Sequence, residues 1–299
     1  MPGVLDRAVA QSVRFLPRRL VRRVAGRYIA GSRVEEALHA VRGLAAQGCL
    51  ATVDILGEHV HSPEQALATA DAYHDLLARI GDAALPAGIS VKPTALGLAL
   101  DPAFCLTNLR RLAEAAGDRK RFLRVDMEES TWTGATLELV VELHRDHSNV
   151  GAVIQARLRR SEADLERLKA ERISVRLCKG IYVEPPQIAY TEFTEIRERY
   201  LRLLDQLLQA GCFVGIATHD AFLVDQALRL IDHHRPSGFE FQMLMGVREG
   251  LRARLVDAGH RVRVYVPYGE DWYGYSMRRL QENPRMATQI ALGLLSRTT

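Results

Sequence analysis

The chain has 299 residues, 47% hydrophobic and 25% charged, a length and composition that suit one large α/β domain or two small ones. Its 40 basic residues barely exceed its 36 acidic ones and aromatics make up 6%, so neither a nucleic-acid-binding surface nor a base-stacking platform is expected. Cys49, Cys105, Cys178 and Cys212 match no Cys-x-x-Cys or zinc spacing, which points to free thiols in a reducing, cytoplasmic compartment; no apolar run is long enough to span a membrane, and the first residues lack a signal peptide's apolar core.

The first element is basic. RFLPRRLVRRVAGR, residues 14 to 27, places arginines around an apolar stripe of Leu16, Leu20, Val21 and Val24. That pattern fits a helix packed on the domain with its arginines in water. It also fits peripheral contact with the inner face of the cell membrane, since a basic amphipathic helix can lie on anionic lipid. Residues 1–45 are read as an N-terminal helical arm and residues 46–299 as the main domain.

Short β-branched runs then alternate with helical patterns. The predicted strands are Ala51–Leu56, Ile89–Pro93, Phe122–Asp126, Ala152–Ala156, Ser174–Cys178, Phe213–Ala217, Phe239–Gln242 and Val262–Val266. Between them lie amphipathic stretches such as PEQALATADAYHDLLARI and EFTEIRERYLRLLDQLLQA. Strands alternating with helices imply right-handed βαβ units and a parallel sheet. Eight such units predict an α/β fold, a distorted (β/α)8 TIM-type barrel with extra N-terminal helices. The rival open sheet usually carries G-x-G-x-x-G after its first strand, which is missing here.

In such barrels the chemistry gathers at the C-terminal ends of the strands. Those ends read Asp54, Lys92, Asp126, Gln155, Arg176, Thr218-His219-Asp220, Gln242 and Tyr265. A polar group at every end, converging on one mouth, is more informative than any of them singly. His59 and His61 have the His-x-His look of a metal-dependent hydrolase, but the later strands lack the other ligands. They are read as loop residues, with no metal expected. Lys92, Arg176 and Lys179 instead make the mouth cationic, which suits an anionic substrate or cofactor. Lys179-Gly180 and Thr218-His219 are candidates for contacting a phosphate-bearing cofactor; equally, the first pair can end a strand and Thr218 can cap a helix.

The last helical pattern, within YVPYGEDWYGYSMRRLQENP, holds adjacent Arg278 and Arg279. Tyr275 and Arg279 are four apart, as are Arg278 and Glu282, so each pair shares a face. Alone this is a solvated basic face. After the eighth of eight strands it reads as a bidentate carboxylate clamp.

Taken together, FLRVDMEES (122–130), VRLCKGIYVEP (175–185), ATHD (217–220) with FEFQMLMG (239–246), and YVPYGEDWYGYSMRRLQENP (265–284) resemble the proline dehydrogenase family. ISVKPTALG and AVIQA agree in order, and the likeness covers roughly residues 45 to 290. The size resembles the small single-function bacterial enzymes. The resemblance implies a distorted barrel holding FAD. It implies oxidation of L-proline to Δ1-pyrroline-5-carboxylate by hydride transfer to flavin N5, with electrons passing to a membrane quinone. A pyrroline-5-carboxylate dehydrogenase would take the product.

Residue by residue, the resemblance implies that Arg278, Arg279 and Lys92 hold the proline carboxylate and that Glu282 orients the arginines. Tyr265, Tyr275 and Leu244 would wall the ring pocket. Asp126 would sit near the substrate amine, and Arg176 near flavin N5. Met127, Gln155, Lys179, Gly180, Ile181, Thr218 and His219 would contact FAD, and Tyr182 would flank the flavin or the substrate. Ile181 and Met245 depart from the residues usual at their positions, and Cys178 reads as a small strand residue near the flavin region. A non-catalytic barrel binding a small amino acid or carboxylate, and a flavin enzyme acting on hydroxyproline, remain as alternatives.

Overall fold

The computed structural model describes residues 26–273 together with 276 and 277. Eight parallel strands close a barrel in sequence order. They are β1 (Leu50–Ile55), β2 (Ala87–Val91), β3 (Leu123–Val125), β4 (Val150–Gln155), β5 (Ser174–Cys178), β6 (Val214–Ala217), β7 (Phe239–Leu244) and β8 (Val262–Tyr268). Helices α1 (Val34–Ala46), α2 (Pro63–Asp82), α3 (Pro102–Asp118), α4 (Ser130–Asp146), α5 (Ser161–Ala170), α6 (Phe193–Gln209), α7 (Ala221–His234) and α8 (Glu249–Asp257) surround it.

The helices start where the sequence offers caps. Ser62 accepts a hydrogen bond from the Gln65 N–H, with Pro63 in the first turn of α2. Asp101 does the same for α3, accepting from Ala103 and Phe104 ahead of Pro102's turn. Helix α1 packs on β1 and β8, and its Ala37, Leu38, Val41 and Leu44 join the same apolar core as the strands.

Strand alternation sorts the side chains into two layers. Val53, Ile89, Val91, Leu123, Val125, Val175, Leu177, Val214, Ile216, Val264 and Val266 are buried in the core that also takes in the helices' apolar faces. The alternate positions carry Thr52, Asp54, Ser90, Arg124, Gln155, Arg176, Glu240 and Gln242, all buried and all polar. The barrel interior is therefore a hydrogen-bonded ladder instead of the aliphatic layers such barrels usually hold.

That ladder runs up the barrel. Arg263 grips Glu240 through Nε at 2.5 Å and Nη2 at 3.1 Å; Glu240 accepts the Gln242 amide at 2.7 Å. Gln242 then turns its carbonyl toward Arg176, accepting Nε at 2.6 Å. Gly215 makes room for it: a Cβ there would lie 2.4 Å from the Gln242 amide nitrogen. Below, buried Arg124 donates to the carbonyls of Ala152 and Ser174 at 2.8 and 2.7 Å.

Strand boundaries shift from the sequence expectation at both ends of the barrel. β2 ends one residue before Lys92 and β3 one before Asp126, whereas β8 runs on to Tyr268 because Pro267 and Tyr268 still pair with Asp54 and Ile55. Arg176 and Tyr265 lie inside their strands, not at the last residue, as the predicted bounds Ser174–Cys178 and Val262–Val266 already implied. They reach the mouth region because the staggered registers of a tilted barrel bring mid-strand side chains level with neighbouring strand ends.

Candidate active site

At one wall of the barrel mouth, five strands contribute to one knot. Asp126, just past β3, accepts at Oδ1 from Ser90 Oγ (2.8 Å) and Arg176 Nη1 (2.6 Å). Its Oδ2 accepts from the Tyr265 hydroxyl at 2.9 Å. The Arg176 guanidinium also sits 5.3 Å from the centre of the Tyr265 ring. With Gln242 on Nε, Arg176 is held from three directions. A guanidinium so fenced is a fixed, preorganised positive charge.

Next to this knot Lys92 donates from Nζ to Asp54 Oδ2 at 2.8 Å, and both side chains are buried. Asp54 Oδ1 lies 3.0 Å from the Tyr73 hydroxyl, which also contacts the Ser90 carbonyl at 2.8 Å and accepts the Ile55 N–H. Burial works against a charge on Lys92, but Asp54 and then Asp126 more than offset it and hold its pKa above the ordinary lysine range. The ammonium therefore stays protonated at neutral pH.

The opposite wall comes from β4, β5 and β6. Gln155 donates to the Glu128 carbonyl at 2.8 Å. Gly180 follows β5 with φ +95°, and a Cβ there would meet Arg157 at 2.7 Å and Gln155 at 2.8 Å. Only glycine adopts that backbone in that space without strain. His219 Nε2 accepts the Leu244 N–H at 2.8 Å, which places the proton of the neutral ring on Nδ1. Thr218 Oγ1 accepts the Asp220 N–H at 3.2 Å ahead of α7. Asp220 draws Lys179 to 3.3 Å and takes the Arg197 guanidinium at 2.7 and 2.8 Å. Burial alone would raise the Asp220 pKa; Arg197 and Lys179 pull it below its usual value. Phe193 and Phe222, both more than a third exposed, stack on Arg197.

Between the walls lies a cavity of about 1250 Å³ lined by Lys92, Asp126, Met127, Arg176, Lys179, Gly180, Ile181, Thr218, His219, Leu244 and Tyr265. It exceeds the ~300–1,000 Å³ of an ordinary small-molecule site, which leaves room for a large cofactor beside a small substrate. Tyr182 and Cys178 line it too, and Gln155 borders it through Gly180. Tyr275, Arg278, Arg279 and Glu282 lie outside the described residues, as does the basic segment up to residue 25.

His59 sits on the loop after β1, its backbone N–H donated to Thr94 Oγ1 at 3.1 Å. Glu58, His59 and Glu128 have ligand atoms within 4.8 Å of one another, but Glu128 is already held by the Thr94 backbone and hydroxyl. Burial pushes its carboxyl up to about 7 against those hydrogen bonds.

Sequence reasoning singled out Asp54 and Gln242 only as strand ends and passed over Ser90, Tyr73 and Glu240. The available signal was a charge or amide at alternate positions inside apolar strands, as in ATVDIL and FEFQML.

Residues 37–291 match the family model described as proline dehydrogenase. The chain is 37% identical over 302 residues to proline dehydrogenase of Deinococcus radiodurans, covering 98% of this chain and 97% of that one. It is 36% identical to proline dehydrogenase 2 of Bacillus subtilis strain 168, over 87% of this chain and 86% of that one. Among solved structures it resembles proline utilization A from Bdellovibrio bacteriovorus inactivated by N-propargylglycine. That match has a TM-score of 0.81 and 27% identity, spanning 87% of this chain and 32% of the other.

Proposed function

The chain belongs to the proline dehydrogenase family, and from that premise we propose that it oxidises L-proline to Δ1-pyrroline-5-carboxylate with FAD as cofactor and a membrane quinone as the final electron acceptor. It is an oxidoreductase of proline metabolism. The observation that carries the finer reading is the pairing, across one cavity, of two fixed cations with a glycine-bounded polar wall. A pyrroline-5-carboxylate dehydrogenase would consume the product. No helix among the described residues is long and apolar enough to cross a membrane. The basic amphipathic pattern of residues 14 to 27 suits peripheral contact with the quinone's membrane.

The residues present suit FAD. Gly180 leaves a cradle that a Cβ would fill, Thr218 and His219 offer polar atoms beside it, and Lys179 adds a cation. Met127, Gln155 and Ile181 complete that wall. When bound, FAD supplies the hydride acceptor. Everything else falls to the protein. Lys92 takes the proline carboxylate, together with Arg278 and Arg279, which Glu282 would orient. Tyr265 and Leu244 enclose the ring and exclude water, a task the family resemblance also gives to Tyr275. Asp126 holds Arg176 and Tyr265 in register, and Arg176 would supply a fixed positive charge beside the bound flavin. A carboxylate clamp also leaves the amine free to be neutral, as hydride loss from the adjacent carbon requires.

Purified protein is expected to be yellow, and proline added without oxygen should bleach the flavin band. Colourless protein that FAD cannot restore would favour a barrel that merely binds a small carboxylate. Faster bleaching with hydroxyproline would move the substrate.

A further inference from the structure

Asp54 touches the site through two residues that line it, Lys92 and Tyr265. It is fully buried and does not line the cavity, whereas its partner Lys92 does. Its two oxygens are divided: Oδ2 receives Lys92, and Oδ1 faces the Tyr73 hydroxyl. Tyr73, also buried, comes from α2 and is anchored on the backbones of β1 and β2 through Ile55 and Ser90. The carboxylate is thus clamped from behind, and it clamps the ammonium in front. Two of the three ammonium protons are left for other acceptors.

We propose that Asp54 is a positioning residue for substrate recognition, holding the Lys92 ammonium in place and charged at the cavity wall so that it can receive the substrate carboxylate. The proposal rests on the proline reading, which gives Lys92 its ligand. The surroundings make the role specific. Lys92 faces Asp54 from β1, Asp126 beyond β3, Glu58 on the loop after β1 and Glu128 beside Thr94; Tyr73 and Tyr265 flank the pair, and Arg176 stands behind Asp126. Asp126 is committed to Ser90, Arg176 and Tyr265. Asp54 is the carboxylate in hydrogen-bond contact with Lys92. A buried ammonium without such a counter-ion loses its proton readily.

The test is carboxylate binding by calorimetry to the full-length holoenzyme. The probe is cyclopentanecarboxylate, which has the ring and carboxylate of the substrate but no amine to titrate. Native protein should bind it with constant affinity from about pH 7 to about pH 9.5, below the range where even an ordinary lysine titrates. Asp54→Asn keeps the shape but removes the charge; its affinity should be weaker by about tenfold at neutral pH and fall further as pH rises. Asp54→Asn with Lys92→Arg should restore a flat profile, because a guanidinium does not deprotonate there. In a Lys92→Met background, Asp54→Asn should add nothing.

A flat, native-like profile for Asp54→Asn, or an undiminished effect of Asp54→Asn in Lys92→Met, overturns the proposal and leaves the proline reading intact. If Lys92→Met alone binds the probe as well as native protein, the assignment of Lys92 to the carboxylate falls, and the proposal with it. Should Asp54→Asn fail to fold, native protein decides alone: binding that persists past about pH 10.4 supports the proposal, and loss centred below that value overturns it.

Discussion

The two walls of the cavity are built differently. The β1–β3 and β8 wall, with Arg176 reaching into it from β5, is buried and cross-braced: Lys92 is bonded to Asp54, and Asp126 to Ser90, Arg176 and Tyr265, by hydrogen bonds of 2.6 to 2.9 Å. The β5–β6 wall is more open: Lys179 reaches Asp220 at 3.3 Å, and exposed Phe193 and Phe222 form part of the lining. The first wall fixes charge in space before any ligand arrives. The second offers backbone shape and partly solvated contacts, as a broad surface for a large molecule requires. Changes in one wall should therefore alter chemistry and substrate affinity, and changes in the other cofactor retention.

The sharpest break would come from the braced wall. Arg176→Met should slow flavin reduction by proline by at least ~100-fold, as when a preorganised charge is lost from a reacting centre. Flavin content should stay near native. Anaerobic stopped-flow traces checked against the flavin absorbance of the same sample measure both, and loss of flavin with an intact reduction rate would reverse the division of labour. Lys92→Met comes next, raising the proline KM by about tenfold or more, with kcat less affected. Steady-state kinetics with an unchanged KM would detach this wall from substrate binding.

Gly180→Ala probes the opposite wall. A side chain forced into a left-handed backbone and against Arg157 should weaken FAD retention by about tenfold, while the loaded fraction keeps its proline KM. The ratio of flavin to protein absorbance after dialysis reports the first, and titration of the loaded fraction the second. The smallest effect concerns the join between the walls, where Glu128 takes Thr94 on its carboxylate and Gln155 on its carbonyl. Its carboxyl titrates near about 7 when folded and in the ordinary glutamate range when unfolded. Between those values the folded protein holds a proton that the unfolded chain has released. Glu128 therefore subtracts stability as pH rises through that window, by up to about 3 kcal/mol, and no more above it. Thermal unfolding of native protein should fall relative to Glu128→Gln across that window; parallel curves would refute the shift.

The barrel was legible in the amino-acid order because each strand is a short β-branched run and each helix carries its own apolar stripe. Even the polar interior was written there, as Asp54 within ATVDIL and Gln242 within FEFQML. The pairings were not. Lys92 and Asp54 are 38 residues apart, and Arg176 and Gln242 are 66 apart. Such contacts depend on register and tilt, which follow from closure of the whole sheet. Local pattern therefore found the strand-end residues, Gln242 among them, but not Glu240 and Gly215, which set Gln242 in its ladder.

Closure has its own consequence. β1 and β8 are the strands farthest apart in sequence, yet they share a six-residue register from Leu50↔Arg263 to Ile55↔Tyr268. Tyr265 lies in that seam, bonded to Asp126 from across the barrel. During synthesis the strand that seals the barrel is the last of the eight to leave the ribosome. The braced wall is thus completed in one late step, and a chain cut short before β8 carries the other residues of that wall without Tyr265 or the seam that closes the sheet around them.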